Sequence, residues 1–532
     1  MILLRRATPR GLALVAAAAL GGLYVLHLFG GLWDPELGLL PGIVRSGSRR
    51  EGWRHASAQN ATGQQRLAAV RGAMAHAWKG YRDYAFGQDE LQPLTRSGNV
   101  RWGNWSISLV DALDTLWLMD MKDEYAEAKA YVQKIDFTRS PRGYRVRVFE
   151  MTIRALGGLL GAYELDHDPA LLAKAAEVGS TLAAAFSSPT GLPYPSIDLN
   201  SRRYRSTTRL CIAEGGTLQL EFKKLAQLTG NKTYADLADR AYEALEAAER
   251  PIRGLYPTFI DVNTGKYDLG SEYSLGGGAD SFYEYQLKQH ILHNHKRPQY
   301  GAQYAAAVEA VKAHLVRKNR DGLTFVGSIG RHGGAYAHRM GHLACFYPGL
   351  LALGAQAMGR AQDLPLAKEL ARTCYLTYKH SPTGLGPEGF VFYDRDPADD
   401  SSRAPDGSDG EQRVASLDDL GITVTDANYI LRPETLESLF VLHRVTGDPV
   451  YREWGWDIFQ AIESHARVEH GYAAYRDIRS PASRGNLDNS MESFFLAETL
   501  KYLYLLFAPP DVLPLDRFVL TTEAHPLRIM PN

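Results

Sequence analysis

The sequence predicts an all-α fold, a toroid of paired helices, carried behind one N-terminal membrane anchor. Three observations point there: helix pairs joined by short turns recur along the chain, carboxylates sit inside otherwise apolar helical stretches, and one long apolar run opens the sequence. The 532 residues are 45% hydrophobic, enough for a large globular core. Lys and Arg total 59 against 60 Asp and Glu, a net charge of -1, so no positive field serves nucleic acid and no such partner is expected. Three cysteines leave room for one bridge and one spare thiol, and exclude a disulfide-dense small fold.

Residues 11–32, GLALVAAAALGGLYVLHLFGGL, contain His27 as their only ionisable side chain, follow Arg5, Arg6 and Arg10, and precede Trp33. Roughly 20 helical residues cross a bilayer, so this run reads as a signal anchor. Positive charge on its N-terminal side keeps residues 1–10 cytoplasmic and the rest luminal, a type II topology. A cleaved signal peptide, with an apolar core of about 7–15 residues, is the competing reading. Sequons at Asn60, Asn104 and Asn231 suit a secretory lumen. Residues 33–66, with Pro, Gly, Ser and scattered Arg, read as a stem, leaving 67–532 as one catalytic domain.

The helix pairs are visible as LQLEFKKLAQLTGNKTYADLADRAYEAL, broken at Thr229-Gly230, and LESLFVLHRVTGDPVYREWGWDIFQAI, broken at Thr446-Gly447 and reopened by Asp448-Pro449. Tyr451 of the second matches Tyr234 of the first. Looser copies turn around Asp123 and Asp168. Their irregular spacing and long connecting loops favour a closed ring over an open solenoid. Strand-like pieces are few: residues 254–269 around an Asn263-Thr264-Gly265 turn, and RFVLTT near the C-terminus. Residues 394–421 are poor in apolar side chains and read as a mobile loop. The GxGxxG match at Gly384, Gly386 and Gly389 contains Pro387 and leads into FVFYD, not a helix, so no nucleotide cofactor is expected. His290, His293 and His295, followed by Lys296-Arg297, read as a solvated helix end and not as a metal cluster.

The chemistry lies in misplaced acids. Glu150 and Arg154 stand one turn apart in VFEMTIRALGGLLGAY, beside a face of Ile153, Leu156, Leu160 and Tyr163. Glu434 and Glu437 share a face of RPETLESLFVLHR, and Asp280 and Glu284 stand among aromatics in ADSFYEYQLK. Glu221 lies between Leu220 and Phe222, and Glu498 among Phe494, Phe495, Leu496 and Leu500. In a closed ring these acids converge, and burying several anions requires protons, arginines or a cation. Oxygen-only ligation favours Ca²⁺ over Zn²⁺. Acids with interior Phe and Tyr also describe a carbohydrate site.

In order along the chain stand HAWKGYRDYAFGQDEL, LVDALDTLWLM, FEMTIRALGGLL, LQLEFKKLAQLTG, DSFYEYQLKQ, HLACFYPGLLALG, GLGPE, LRPETLESLFVLHRVTGD, ESFFLAETLKYLYLLF and TEAHPL. These blocks resemble the class I α-1,2-mannosidases, glycoside hydrolase family 47, over nearly all of residues 67–532. The resemblance implies an (αα)7 barrel plugged by a C-terminal β-hairpin. It also implies Ca²⁺-dependent, inverting exo-hydrolysis of terminal α-1,2-linked mannose from high-mannose N-glycans in the secretory pathway. By the same resemblance Glu150 is the general acid, acting through a water, Glu434 the general base, and Asp280 a further catalytic carboxylate. Thr522 binds Ca²⁺ directly, and Glu221, Glu284, Glu437, Glu498 and Glu523 hold its waters and sugar hydroxyls. Arg154, His342, Arg432 and Phe494 surround the terminal mannose, and Cys345 and Cys374 form a disulfide that leaves Cys211 free.

One position departs from the family. Two residues before Asp280, where the family carries Arg or Leu, stands Gly278. The missing side chain should widen the cleft and permit trimming of several mannoses, which leans towards the Golgi over the endoplasmic reticulum. The alternative reading is a mannosidase-like lectin that delivers misfolded glycoproteins for degradation with little hydrolysis. Members of that branch typically lack the disulfide pair and add C-terminal extensions, whereas this chain has both cysteines and ends ten residues after Thr522.

Overall fold

The computed structural model describes residues 48–532 apart from 202, 205–206, 320, 331–333, 394–415, 482–483 and 532, with side chains from residue 62 onward, 203 and 204 excepted. The apolar run 11–32, the Asn60 side chain and most of the 394–421 loop lie outside the described residues. Among those described, no helix is long and apolar enough to cross a membrane. The chain divides into two units, Met1–Thr62 and Gly63–Asn532. In the first, residues 48–62 are helical: no proline interrupts the sequence between Pro41 and Pro93, and Arg and Ala, both good helix formers, are the commonest residues of this stretch.

The second unit is built of helices that run inward and return outside. Helix α1 (Ser48–Tyr84) enters it at Gly63. Short helices α2 (Ile107–Asp111) and α3 (Leu113–Leu118) return as α4 (Lys122–Val132). Next, α5 (Val148–Met151), a π turn at Thr152–Leu156 and α6 (Gly157–Asp166) form one inner run, answered by α7 (Pro169–Ala183). After the short α8 (Ile212–Gly216) come the pairs α9 (Gln219–Thr229) with α10 (Thr233–Ala247), and α11 (Asp280–Leu292) with α12 (Pro298–His314). They are followed by α13 (Tyr347–Met358) with α14 (Leu364–Lys379), and α15 (Glu434–Thr446) with α16 (Val450–His465). A second π turn, Phe495–Thr499, leads into α17 (Leu500–Phe507).

Inner helices touch in sequence: α3 on α6, α6 on α9, α9 on α11, α11 on α13, α13 on α15 and α15 on α17. The π turn before α17 returns to α2 and α3 and closes the ring. Burial separates the layers. Every residue of α11 after Asp280 is buried, whereas α10 buries the stripe Tyr234, Leu237, Ala238, Ala241, Tyr242 and Leu245. From Gly63 onward helix α1 completes the outer layer, pairing Arg66 with Glu453 of α16 at 2.6 Å and Arg82 with Glu127 of α4 at 2.7 Å.

The pair-joining turns follow local chemistry. Gly230 and Gly447 take φ of 74° and 70°, ending α9 and α15. Asp168 caps α7 by accepting the Ala170 N–H at 2.9 Å. The first pair turns at Asp120, φ 55°, not at Asp123, which lies in the first turn of α4. The loops hold more strand than expected, in ribbons such as Arg339–Gly341, Gly389–Phe392 and Ile422–Asp426. Strands this short leave little alternation to read. Residues Phe259–Asp261 pair with Arg209–Cys211, and across the expected Asn263-Gly265 turn the chain folds back through an Ile260–Tyr267 bridge, the Asp261 N–H donating to the Lys266 carbonyl at 2.9 Å and the Asp268 N–H to the Phe259 carbonyl at 2.8 Å. The histidine cluster is also less solvated than expected: His290 is buried, and its Nε2 lies 3.0 Å from Nδ1 of the exposed His295.

A C-terminal hairpin, Phe518–Leu520 with Pro526–Arg528, packs against α6 and α11. Its tip is held by a buried charge network. His525 lies 2.8 Å from Asp114 and 3.1 Å from Asp111, while Lys501 donates to Asp114 at 2.7 Å and to the Ala524 carbonyl at 2.8 Å. All four charged side chains are fully buried. Burial opposes charge on His525, but Asp114 and Asp111 hold its pKa above the ordinary value. Cys345 and Cys374 are joined, tying the 3-10 turn His342–Phe346 to α14 and closing a loop of 29 residues, and Cys211 is a free thiol.

The close approach of these parts depends on the glycines of GGLLG in α6. A Cβ at Gly158 would stand 2.7 Å from the Val110 carbonyl oxygen, and one at Gly161 the same distance from Asp114. Gly158→Ala is therefore expected to cost about 1–3 kcal/mol through overpacking against backbone, read as a lowered Tm. An unchanged Tm would show that α2 can slide without cost.

Candidate functional site

The first turns of the inner helices carry the acids. Glu221 lies in the first turn of α9, Asp280 opens α11 with Glu284 one turn on, and Glu434 and Glu437 lie in the first turn of α15. Glu150 lies in α5, and Glu498 in the π turn before α17. A helix N-terminus favours an anion, so these are suitable positions for carboxylates. The π turns were not legible in the sequence; they shift the phase of the inner runs beside Glu150, Arg154 and Glu498, and such turns recur at functional sites.

A cavity of about 290 Å³ opens among them. Its wall includes Glu150, Arg154, Asp280, Arg432, Glu434, Phe494 and Glu498, and the hairpin tip adds Thr522 and Glu523. Glu221, Glu284 and Glu437 stand behind this wall. Glu284 and Glu437 flank Lys288 beside a second, enclosed space of about 20 Å³, room for one water.

Arg154 organises one side. Its Nε donates to Glu150 at 3.1 Å, and its Nη1 donates to Ser493 at 3.0 Å, pairs with Glu523 and lies 3.5 Å from Asp111. Arg432 organises the other. It forms a forked pair with Glu388 at 2.9 and 3.0 Å and lies 3.7 Å from Glu434. Both guanidinium groups lie within 6 Å of the Phe494 ring, Arg154 at 5.9 Å and Arg432 at 5.6 Å.

His342 does not face the cavity as the resemblance implied. It is 2% exposed and stands behind Glu434, with Nδ1 2.8 Å from that carboxylate and Nε2 2.6 Å from the Tyr378 hydroxyl.

These surroundings separate the acids. Burial would raise Glu434, but Arg432 and His342 outweigh it and hold its pKa below the ordinary value. Burial, reinforced by Glu284 and Glu434, pushes Asp280 up to about 7. Burial likewise pushes Glu221 and Glu437 up to about 8, and raises Glu498 and Glu523 well above the usual range.

The residues fit a hard cation held largely through water. Among the described residues no group of three or more His, Cys, Asp or Glu side chains is placed to hold a metal. The donors that do meet near the tip are oxygens. Glu221 accepts the Tyr285 hydroxyl at 2.5 Å through Oε1, while its buried Oε2 has no partner. The same hydroxyl accepts the Thr522 N–H at 3.3 Å. Of five acids here, Lys288 pairs with Glu284 and Glu437 and Arg154 with Glu523, while Glu221 and Glu498 add further carboxyl oxygens, a donor set that Ca²⁺ chemistry suits.

Several participants had no signal of their own. Asp111, Lys288 and Glu388 lie inside the quoted blocks, and Ser493 precedes Phe494, yet only the folded geometry pairs them with Arg154, Glu437 and Arg432. Tyr378 lies in no such block. Gly278 does line the cavity, at φ +89°, where a Cβ would meet Thr258 at 3.2 Å; the backbone itself disfavours a side chain there. Asn104 and Asn231 are both exposed.

Comparison with known proteins places these features in a family. The model of glycosyl hydrolase family 47 matches residues 73–529. The chain is 40% identical over 461 residues to the Homo sapiens endoplasmic reticulum mannosyl-oligosaccharide 1,2-alpha-mannosidase, a match covering 85% of this chain and 62% of that protein, less than two thirds of its length. It is 39% identical to mannosyl-oligosaccharide 1,2-alpha-mannosidase IA of Sus scrofa, over 88% of this chain and 68% of that one. The solved alpha-1,2-mannosidase from Trichoderma reesei superposes with a TM-score of 0.80 at 33% identity, covering 88% of this chain and 99% of that one. With its ring of helices, its cavity of acids and a family match along most of its length, the chain belongs to glycosyl hydrolase family 47.

Proposed function

We propose that the chain removes terminal α-1,2-linked mannose from high-mannose N-glycans, with inversion and with Ca²⁺, in the secretory pathway. The observation that carries this reading is one cavity that brings Glu150, Asp280 and Glu434 together beside Phe494, Arg154 and Arg432, surroundings that lower the pKa of Glu434 and push Asp280 up to about 7. Glu434 is the general base and draws a proton from the attacking water. Glu150, hydrogen-bonded to Arg154, donates through a water to the leaving oxygen, and Asp280 is the further carboxyl at the reacting centre. Phe494 offers its ring to the apolar face of the sugar, with Arg154 and Arg432 beside it. Thr522 would hold Ca²⁺ directly, with Glu221, Glu284, Glu437, Glu498 and Glu523 on its waters or on sugar hydroxyls, and the bound ion supplies fixed positive charge to the mannose hydroxyls.

The ring is read as seven helix pairs plugged by the hairpin. An anchor at residues 11–32 would leave the catalytic unit luminal, where the Cys345–Cys374 disulfide is at home. The printed name of the human relative supports that compartment.

Incubating the protein with an α-1,2-linked mannose oligosaccharide, with and without a Ca²⁺ chelator, and following the product by NMR tests the reading. Release of β-mannose that stops on chelation is expected; binding without release would favour the lectin-type alternative. Glu150→Gln and Glu434→Gln should each lower turnover by about two or more orders of magnitude while leaving the protein folded, and near-normal rates for either would remove its assigned role. Because Gly278 leaves the wall bare, a nine-mannose glycan should be trimmed by several residues; one dominant eight-mannose isomer that persists would contradict the wide cleft.

A further inference from the structure

We infer that Tyr378 is a positioning residue for this reaction: its hydroxyl fixes the tautomer of His342, and His342 thereby orients the Glu434 carboxylate and keeps it ionised. The inference rests on Glu434 being the base. Three elements meet here: α14 carries Tyr378 in its last turn, the 3-10 turn His342–Phe346 begins with His342, and α15 begins with Glu434.

A neutral imidazole has one N–H and one lone pair. The Glu434 carboxylate only accepts, so the His342 nitrogen facing it at 2.8 Å, Nδ1, must carry the hydrogen. Nε2 is then an acceptor, and the Tyr378 hydroxyl at 2.6 Å donates to it. Thr435 Oγ1, at 3.3 Å, is the more distant second donor. Without the phenol, Nε2 loses its nearest donor, and the tautomer with hydrogen on Nδ1 is favoured from that side by Thr435 at the longer distance.

The contact is built into the scaffold. Tyr378 is 1% exposed, and its ring lies where a side chain at Gly386 would be, 2.4 Å from the position of a Cβ there. The disulfide clamps the same two elements, with Cys374 one turn before Tyr378 and Cys345 three residues after His342. The other charged groups facing Glu434 divide by sign. Arg432, held by Glu388, favours the carboxylate; Asp280, Glu437 and Glu498 oppose it. Tyr429 packs edge-on against Tyr378 at 6.1 Å. His342 is therefore the partner that Arg432 cannot replace on Oε2.

Tyr378→Phe keeps the ring and removes the hydroxyl. In the full chain it should lower kcat by about tenfold with KM for the oligosaccharide within about twofold. The acidic limb of the pH profile should move to higher pH by about half a unit, since losing a hydrogen bond to the charged form raises the pKa of the base. His342→Asn presents an amide N–H to Glu434 with no tautomer to choose, so adding Tyr378→Phe to that variant should cost much less than in the wild type. Equal losses in both backgrounds, or an unmoved acidic limb, would mean that Tyr378 merely packs and would overturn the inference. In ¹⁵N-histidine spectra, the resonance lost in His342→Asn should report hydrogen on Nδ1 and a bare Nε2; hydrogen on Nε2 would overturn it too. That measurement needs no turnover. A wild-type chain that releases no mannose would therefore remove the hydrolase reading separately, while the spectrum still decides the tautomer.

Discussion

The ring encloses more carboxyl groups than its own cations can pair, and burial makes most of them hold a proton more tightly than a free carboxylate does. Glu221, Glu284, Glu498 and Glu523 are buried near one hairpin tip and Glu437 nearly so, with Asp280 and Glu434 in the cavity wall. A helix N-terminus stabilises an anion by about 0.3–1 kcal/mol, whereas removing a carboxylate from water costs several kcal/mol. Starting the inner helices at this end therefore helps without sufficing. Specific donors make up part of the difference, and this is why Arg154 meets Glu150, Glu523, Ser493 and Asp111 with one guanidinium group.

The hairpin tip can sit among these acids only because the layer beneath it is electrically closed. Asp111 and Asp114 face His525 and Lys501, so two anions meet two cations with no exposed member. Lys501 also grips the Ala524 carbonyl, and Ala524 adjoins Glu523. The position of Thr522 and Glu523 is thus fixed from α3 and α17 as well as from the hairpin strands. The glycines of α6 belong to the same arrangement, since without them His525 and Asp114 could not approach that helix.

Much of this was legible in the chain and some could not have been. Helix pairs show themselves through Gly230 and Gly447, whose left-handed turns are local properties. The acids show themselves because each interrupts an apolar run, a conflict visible one helix at a time. Partnerships are different in kind: Glu388 with Arg432, or Tyr378 with His342, join segments tens of residues apart, and no spacing encodes them. His342 illustrates the limit. The resemblance set it beside the sugar, and the fold turns it to the rear of Glu434. The π turns escaped for a related reason, because one extra residue in a helical turn leaves the apolar pattern nearly intact while rotating the rest of the helix about its axis.

The acids of the cavity divide by what donates to them. Glu434 is faced by His342 on one oxygen and Arg432 near the other, and these two partners favour its charged form. Glu221 keeps one oxygen without a partner, and Glu498 lies among other acids, so their charge depends on an occupant. Carboxyl groups of nearly equal intrinsic acidity are in this way set apart by their surroundings. Groups held by the protein can act on a proton in every turnover. Groups left short of donors make a cavity that gains stability when a cation and sugar hydroxyls enter it, and this links occupation of the site to the integrity of the ring's acidic end.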